Sequence, residues 1–281
     1  SQLVEWEIEA PIQRQLFRIA EQDVSNFLKS NPYRLFSLGM RFRKVDVIAQ
    51  KHFGIGFDSE LRLTAIVEQA LRLWSDRGNT VAEWGDIKST VKRYLNNSEN
   101  LAFKASTLEG DILGFVKQDE QYFVSGNYIF EKTISKRFGK LSKIKCRWLR
   151  ELEDAYKSAV PEGWLLEKAQ ERAVRVALIS NVFAMTGGAG TGKTTTTKLI
   201  VDAYRKLGFT IYPVALSGKA ARRLQQSIGI ETSTIARLLY ENSINEINCV
   251  LLIDEASMLD SYTMWRLVTL FSDRTRILLV G

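Results

Sequence analysis

The sequence is poor in the residues that bind transition metals and make cross-links. Its one histidine, His52, has no cysteine, aspartate or glutamate at ligand spacing around it, which leaves no zinc-type site to build. The two cysteines, Cys146 and Cys249, lie far apart, and the second falls in an apolar run that reads as a buried strand. A disulfide framework is therefore not expected, and a reducing, cytoplasmic setting fits. No apolar run approaches the roughly 20 residues of a membrane span, and the opening SQLVEWEIEA has acids where a secretory leader would carry bases. No membrane association is expected. Acids are in deficit overall: 39 Lys and Arg stand against 32 Asp and Glu, a net charge of +7, which favours a polyanionic partner. A length of 281 residues, 45% of them hydrophobic and 25% charged, suits a globular protein of two domains.

What is present centres on residues 181–200, NVFAMTGGAGTGKTTTTKLI. Residues 181–186 are a short, mostly apolar run that predicts a buried strand, and 194–206 predict a helix closed by Gly208. Between them Gly187, Gly188, Ala189, Gly190, Thr191, Gly192, Lys193 and Thr194 satisfy G-x-x-x-x-G-K-[ST] at every fixed position. The glycines let successive backbone N–H groups turn inward and donate to phosphate oxygens at the positive end of the helix. Lys193 then reaches the β- and γ-phosphates and the Thr194 hydroxyl is placed for Mg²⁺, with Thr195 beside it in the same turn.

Residues 1–105 show helical, amphipathic spacing. Val24, Phe27 and Leu28 form one stripe, Ile66, Val67, Ala70, Leu71 and Trp74 another, and Ile87, Val91 and Leu95 a third. Within them, NPYRLFSLGMRFRKVDVIAQKHFG from Asn31 reads as a short helix, a turn at 38–42 and a second helix from Lys44. It resembles a helix-hairpin-helix, a module that grips the nucleic-acid backbone through hairpin N–H groups and nearby bases. Gly39 is kept, but Arg41 stands where the hairpin's second glycine is expected; Arg41, Arg43 and Lys44 supply charge of the right sign. The alternative is a structural helical pair with a solvated basic turn.

Residues 106–150 read as a connecting segment. Runs at 112–117 and 121–125, joined by Gln118, Asp119 and Glu120, predict a β-hairpin. Lys132, Lys136, Arg137, Lys140, Lys143, Lys145, Arg147 and Arg150 then follow with no acid among them and with Phe138 and Trp148 interleaved. This is either a solvated helix face or a patch that tracks a nucleic-acid backbone. In residues 151–281, apolar runs at 182–186, 211–216, 250–253 and 277–280 alternate with helical segments, the pattern of a parallel sheet covered on both faces. Ligands on such sheets sit at the carboxyl ends of the strands. The run CVLLIDEAS delivers Asp254 and Glu255 there, the first suited to the Mg²⁺ shell and the second to orienting or deprotonating an attacking water. The expected fold is thus α+β and multidomain: a helical N-terminal region, then a P-loop α/β domain.

GGAGTGKT, ALSGKAARRL from Ala215, TSTIARLL from Thr232 and LLIDEASMLD from Leu251 are similar, in this order, to the motifs of RecD-like DNA helicases of superfamily 1. The helix-hairpin-helix region and the basic segment resemble the long-N-terminus branch of that family. The resemblance implies that the α/β domain is the first RecA-like ATPase domain, and that Gln170 in LEKAQERAV reads adenine, making ATP with Mg²⁺ the cofactor. It implies DNA contacts at Ser217 and Lys219, where the family usually has threonine at the first position, and at Thr234, with Ala236 replacing a usual histidine. A strand-separating pin precedes the acidic motif in the family; here only residues 240–248 fill that interval.

The chain ends at Gly281, directly after ILLV, where the family continues with a γ-phosphate sensor and a second RecA-like domain carrying an arginine finger. The resemblance thus implies a fragment of a longer, monomeric 5′ to 3′ motor on single-stranded DNA and duplex junctions, working alongside recombination or repair proteins. The fragment alone is expected to bind Mg-ATP and to hydrolyse it very slowly. A nucleotide-gated DNA-binding scaffold is the alternative function. A P-loop kinase or GTPase is disfavoured, since no guanine-reading N-K-x-D occurs.

Overall fold

The computed structural model describes residues 2–20, 23–111, 114–146, 150–188, 190–241, 244 and 248–281. The chain divides once, into compact units Ser1–Ile129 and Phe130–Gly281, so the segment 106–150 is shared between them and is not a third body.

The first unit is built from α1 (Gln2–Glu5), α2 (Ala10–Ile19), α3 (Val24–Ser30), α4 (Arg34–Ser37), α5 (Phe42–Phe53), α6 (Glu60–Ser75), β1 (Ala82–Glu83), α7 (Trp84–Tyr94) and α8 (Glu99–Ser106). The three apolar stripes converge on one core, in which Leu28, Ile66, Val91 and Leu95 are fully buried and Phe27 and Trp74 pack at its margin. The main buried charge of this core is paired. Arg62 on α6 donates to both carboxylate oxygens of Asp46 on α5, each at 2.9 Å, and Tyr33 at the head of α4 donates to Asp46 at 2.7 Å. That network ties the helical hairpin to the longest helix of the unit. β2 (Gly110–Asp111), β3 (Phe115–Gln118) and β4 (Gln121–Val124) complete an antiparallel sheet in the order β1-β4-β3-β2. β3 and β4 form the expected hairpin, closed by Asp119 and Glu120 with φ of 50° and 61°, the left-handed pair that a two-residue turn needs. Ile112 of the expected first run lies outside the described residues.

α9 (Ser125–Lys143) crosses the boundary between the units. The second unit continues with α10 (Glu151–Ala159), α11 (Lys168–Ile179), β5 (Val182–Met185), α12 (Lys193–Lys206), β6 (Thr210–Ala215), α13 (Gly218–Ile228), β7 (Ser233–Thr234), α14 (Ile235–Glu241), β8 (Cys249–Ile253), a 3₁₀ turn Ala256–Met258, α15 (Ser261–Leu270) and β9 (Arg276–Val280). All five strands are parallel, in the order β5-β9-β8-β6-β7. Alternate residues point to opposite faces. Val250, Leu252, Leu278 and Val280 meet α10 to α13, whereas Leu251, Ile253 and Ile277 meet α14, α15 and α9. Both faces are covered, which is why the central strands are continuously apolar. β7 has only two residues, too few to announce themselves by alternation. Neither Cys146 nor Cys249 is in a disulfide, and among the described residues no helix is long and apolar enough to cross a membrane.

Candidate nucleotide and nucleic-acid site

β5 ends at Met185 and α12 begins at Lys193, so residues 187–192 lie at the carboxyl edge of the sheet and at a helix N-terminus. Gly190 and Gly192 adopt φ of 77° and 79°, a region that costs other residues roughly 1–2 kcal/mol. A Cβ at Gly187 would lie 2.9 Å from Thr191 Oγ1, and one at Gly192 would meet Gln170 Nε2. Both are side-chain ends that can move aside, so the positive φ of Gly190 and Gly192 is the stronger demand for glycine. The Lys193 ammonium donates to the carbonyls of Gly187 and Gly188, the latter at 2.9 Å, and Thr191 Oγ1 donates to Gly188 at 2.9 Å. Thr194 is exposed in the first turn of α12 and Thr195 half-buried beside it, while Gly188 is exposed in the loop. Ala189 lies outside the described residues.

Gln170 reaches this loop from the first turn of α11. Its Oε1 accepts the Glu167 N–H at 3.2 Å in a reciprocal capping box, and its Nε2 is the atom facing Gly192. Helix start and phosphate loop are therefore in contact although they are distant in sequence.

Asp254 follows β8, its N–H donating to the Val214 carbonyl at 3.0 Å. Burial raises its carboxyl above the usual carboxylate range; the Glu255 N–H opposes this, the Glu255 charge adds to it, and the positive charges of Arg223 and Lys193 pull the other way. The last two place Asp254 within electrostatic reach of the phosphate-loop lysine. Glu255 has φ of 55°, an uncommon conformation for a residue with a side chain and one that concentrates at functional sites.

The set fits a magnesium-bound triphosphate. The loop offers a backbone cradle that a Cβ would fill, its lysine is held only by exposed loop carbonyls, and Thr194 and Asp254 provide a hydroxyl and a carboxylate. Mg²⁺ takes few protein ligands when phosphates complete its shell, and among the described residues no cluster of three metal-binding side chains competes for it. Sequence reasoning missed Arg223. It lies within SGKAARRL, but only the docking of α13 turns it toward Asp254.

Ser217, Lys219 and Thr234 gather at the β6–β7 end of the same edge, because β7 pairs Thr234 with Ala215. The Ser217 hydroxyl caps α13 by accepting the Ala220 N–H at 3.2 Å, Lys219 is exposed in the first turn, and Thr234 Oγ1 accepts the Arg237 N–H at 3.2 Å. Lys219 and Arg223 line a shallow hollow of about 460 Å³. In the other unit, the hairpin between α4 and α5 has Gly39 at φ 101°. The N–H groups of Leu38, Gly39 and Met40 bond to α4 carbonyls, which leaves the first turn of α5 and the exposed Arg41 and Arg43 for any phosphate. Lys44 pairs with Glu9 at 2.8 Å, so part of the hairpin's charge is offset. Of the basic stretch, Arg137 is buried and paired with Asp273, a structural role that its neighbours do not share; Arg147 and Trp148 are outside the described residues, as are 242–243 and 245–247 of the interval before the acidic motif.

Two family models match the chain: an ATP-dependent RecD2 DNA helicase HHH domain over residues 1–81 and an AAA domain over 165–281. The ATP-dependent RecD2 DNA helicase of Deinococcus radiodurans is 39% identical over 105 residues, covering 34% of this chain and 15% of the relative. The RecBCD enzyme subunit RecD of Haemophilus influenzae is 32% identical over 146 residues, 40% of this chain and 23% of its own length. Conjugal transfer protein TraA of Rhizobium radiobacter is 33% identical over 122 residues, 41% of this chain and 11% of its own. The chain thus matches less than a quarter of the length of each of these relatives. The chain is thus similar to a RecD2 DNA helicase HHH domain in its first part and to an AAA domain in its last, and its relatives include RecD-type helicases.

Proposed function

We propose that this chain forms the nucleotide-binding and single-strand-binding part of an ATP-dependent DNA helicase that moves 5′ to 3′ and separates duplex ahead of it, in company with recombination or repair proteins. The observation that supports the reading is that the Lys193 loop follows β5 and Asp254 follows β8, so both leave the same carboxyl edge of one parallel sheet. On binding ATP, Lys193 exchanges the Gly187 and Gly188 carbonyls for phosphate oxygens, and the N–H groups of the loop and first helical turn hold the rest. Thr194 and Asp254 would hold Mg²⁺ through a hydroxyl and a carboxylate, and the ion would supply neutralisation of phosphate charge. Asp254 must be ionised for this, and Lys193 and Arg223 favour that form against its burial. Glu255 orients the attacking water and accepts its proton, and Gln170 selects adenine once its amide leaves the capping box.

α13 supports a link between strand and nucleotide. It carries the Ser217 cap and Lys219 at its start and Arg223 further along, where its positive charge favours the ionised form of Asp254. The test is titration of a fluorescent ATP analogue with Mg²⁺ into this chain and into Lys193→Ala. Equal affinity of the two would remove the nucleotide assignment. In the full-length protein, single-stranded DNA should stimulate hydrolysis strongly; a nucleotide-gated scaffold would show almost no stimulation.

A further inference from the structure

We propose that the outward face of α9 is a second nucleic-acid track, which holds the sugar–phosphate backbone of a single strand well away from the Ser217, Lys219 and Thr234 cluster. The identity of the polyanion rests on the helicase reading; the existence of the track rests on α9.

Ile134, Phe138 and Leu141 turn one side of α9 onto Val182, Val268 and Ile277. At 100° per residue, Lys132, Lys136, Lys140 and Lys143 fall within an arc of about 80° on the opposite side, and they span about 16 Å along the axis. All four are exposed. The carboxylate against this helix is that of Asp273, which accepts from buried Arg137 and lies 3.6 Å from Lys140. Since the Nε and Nη2 atoms of Arg137 have no partner, Asp273 offsets only part of the local charge. Glu131 is the one acid in α9 itself, and it lies off the lysine arc.

On one flank of the lysines lie Ser135, Gly139 and Ser142, all exposed, and a Cβ at Gly139 would meet nothing within 4 Å; Thr133 lies on the other flank, and exposed Ile129 falls in the arc one turn before Lys132. A bilayer-binding helix would present several apolar side chains among its bases; between Lys132 and Lys143 the flanking residues are small and polar, and they admit a strand closely. Phe130 lies about 160° round the helix from Lys132 and packs on Tyr262 and Trp265 of α15 with centroids 5.3 and 4.9 Å apart. The aromatic group therefore belongs to the side of α9 that meets α15, and the lysine face is left to backbone contact alone. α9 covers β5 and β9, whereas the Ser217 cluster lies on the β6–β7 side of the five-stranded sheet, so the two contacts are separate.

The experiment measures binding of a fluorescent oligothymidylate to the chain across a salt series. Lys136→Gln/Lys140→Gln/Lys143→Gln together should weaken binding about tenfold or more at low salt and lower the slope of log affinity against log salt by about 2. Lys219→Ala should add its own factor by multiplication, and ATP-analogue affinity and thermal midpoint should be unchanged in the triple-lysine variant. Wild-type affinity and slope in that variant, with Lys219→Ala impaired, would overturn the track and leave the helicase reading standing. Loss of binding to phosphatidylserine vesicles in the triple variant, with oligonucleotide affinity retained, would reassign the face to lipid and overturn the proposal. No binding of the oligonucleotide by the wild-type chain would overturn both readings.

Discussion

Replacing Asp46 by alanine should be among the most damaging single changes in the first unit, although Asp46 touches no nucleotide. Its partner Arg62 has a side chain only 4% exposed, against 14% for Asp46 itself. In Asp46→Ala the guanidinium keeps its bonds to the Phe57 carbonyl at 3.0 Å and the Tyr94 carbonyl at 3.4 Å. It loses two charge-assisted bonds, and the Tyr33 hydroxyl loses its acceptor. Breaking a buried pair from one side costs about 3–5 kcal/mol, which for a unit of this size lowers its thermal midpoint by on the order of 10–20 °C. Hydrogen exchange followed by mass spectrometry, with urea as the perturbant, separates this unit from the ATPase unit. Protection should fall across α4, α5 and α6 and persist in β8 and β9. The double variant Asp46→Ala/Arg62→Met should recover much of the loss, because an uncompensated buried charge is the larger part of the penalty. A cost below about 1 kcal/mol for the single change, or no recovery in the double, would refute the reasoning.

Glu68 on α6 is buried against Arg72, and burial raises its carboxyl above the usual range despite that neighbour. A folded value above the unfolded one means a contribution fully present below the unfolded pKa and lost as pH rises through the folded one. Glu68→Gln should therefore raise the thermal midpoint at pH 7, with the gain shrinking toward pH 4, as calorimetry across that range would record. Gly192→Ala should strain the phosphate loop by about 1–2 kcal/mol and drive a methyl into Gln170, lowering ATP-analogue affinity. Adding Gln170→Ala should relieve the collision but neither the strain nor the loss of the adenine contact proposed for Gln170, so the titration should show no recovery. Ser217→Ala should cost about 1 kcal/mol of helix cap, measurable as a lower urea midpoint for the second unit, and Ser217→Thr should restore it.

The phosphate loop was legible from sequence because everything it needs is local: an apolar run, glycines where the chain must turn left-handed, and a lysine on the first helical turn. The central strands were legible because burial on both faces demands unbroken apolar runs, and the β3–β4 turn because two extended runs stood close together. Their ends shifted by a residue or so, and the two-residue strands β1 and β7 left no periodic trace, since they exist only through the strands they pair with. Tertiary structure decided what depends on distance across the chain. It brought Gln170 to Gly192 and Arg223 toward Asp254, and it divided one basic run into the buried Arg137 and the exposed Lys132, Lys136, Lys140 and Lys143. Charge density along a sequence states only how much positive charge a segment carries; which side of a helix meets the sheet determines where that charge can act.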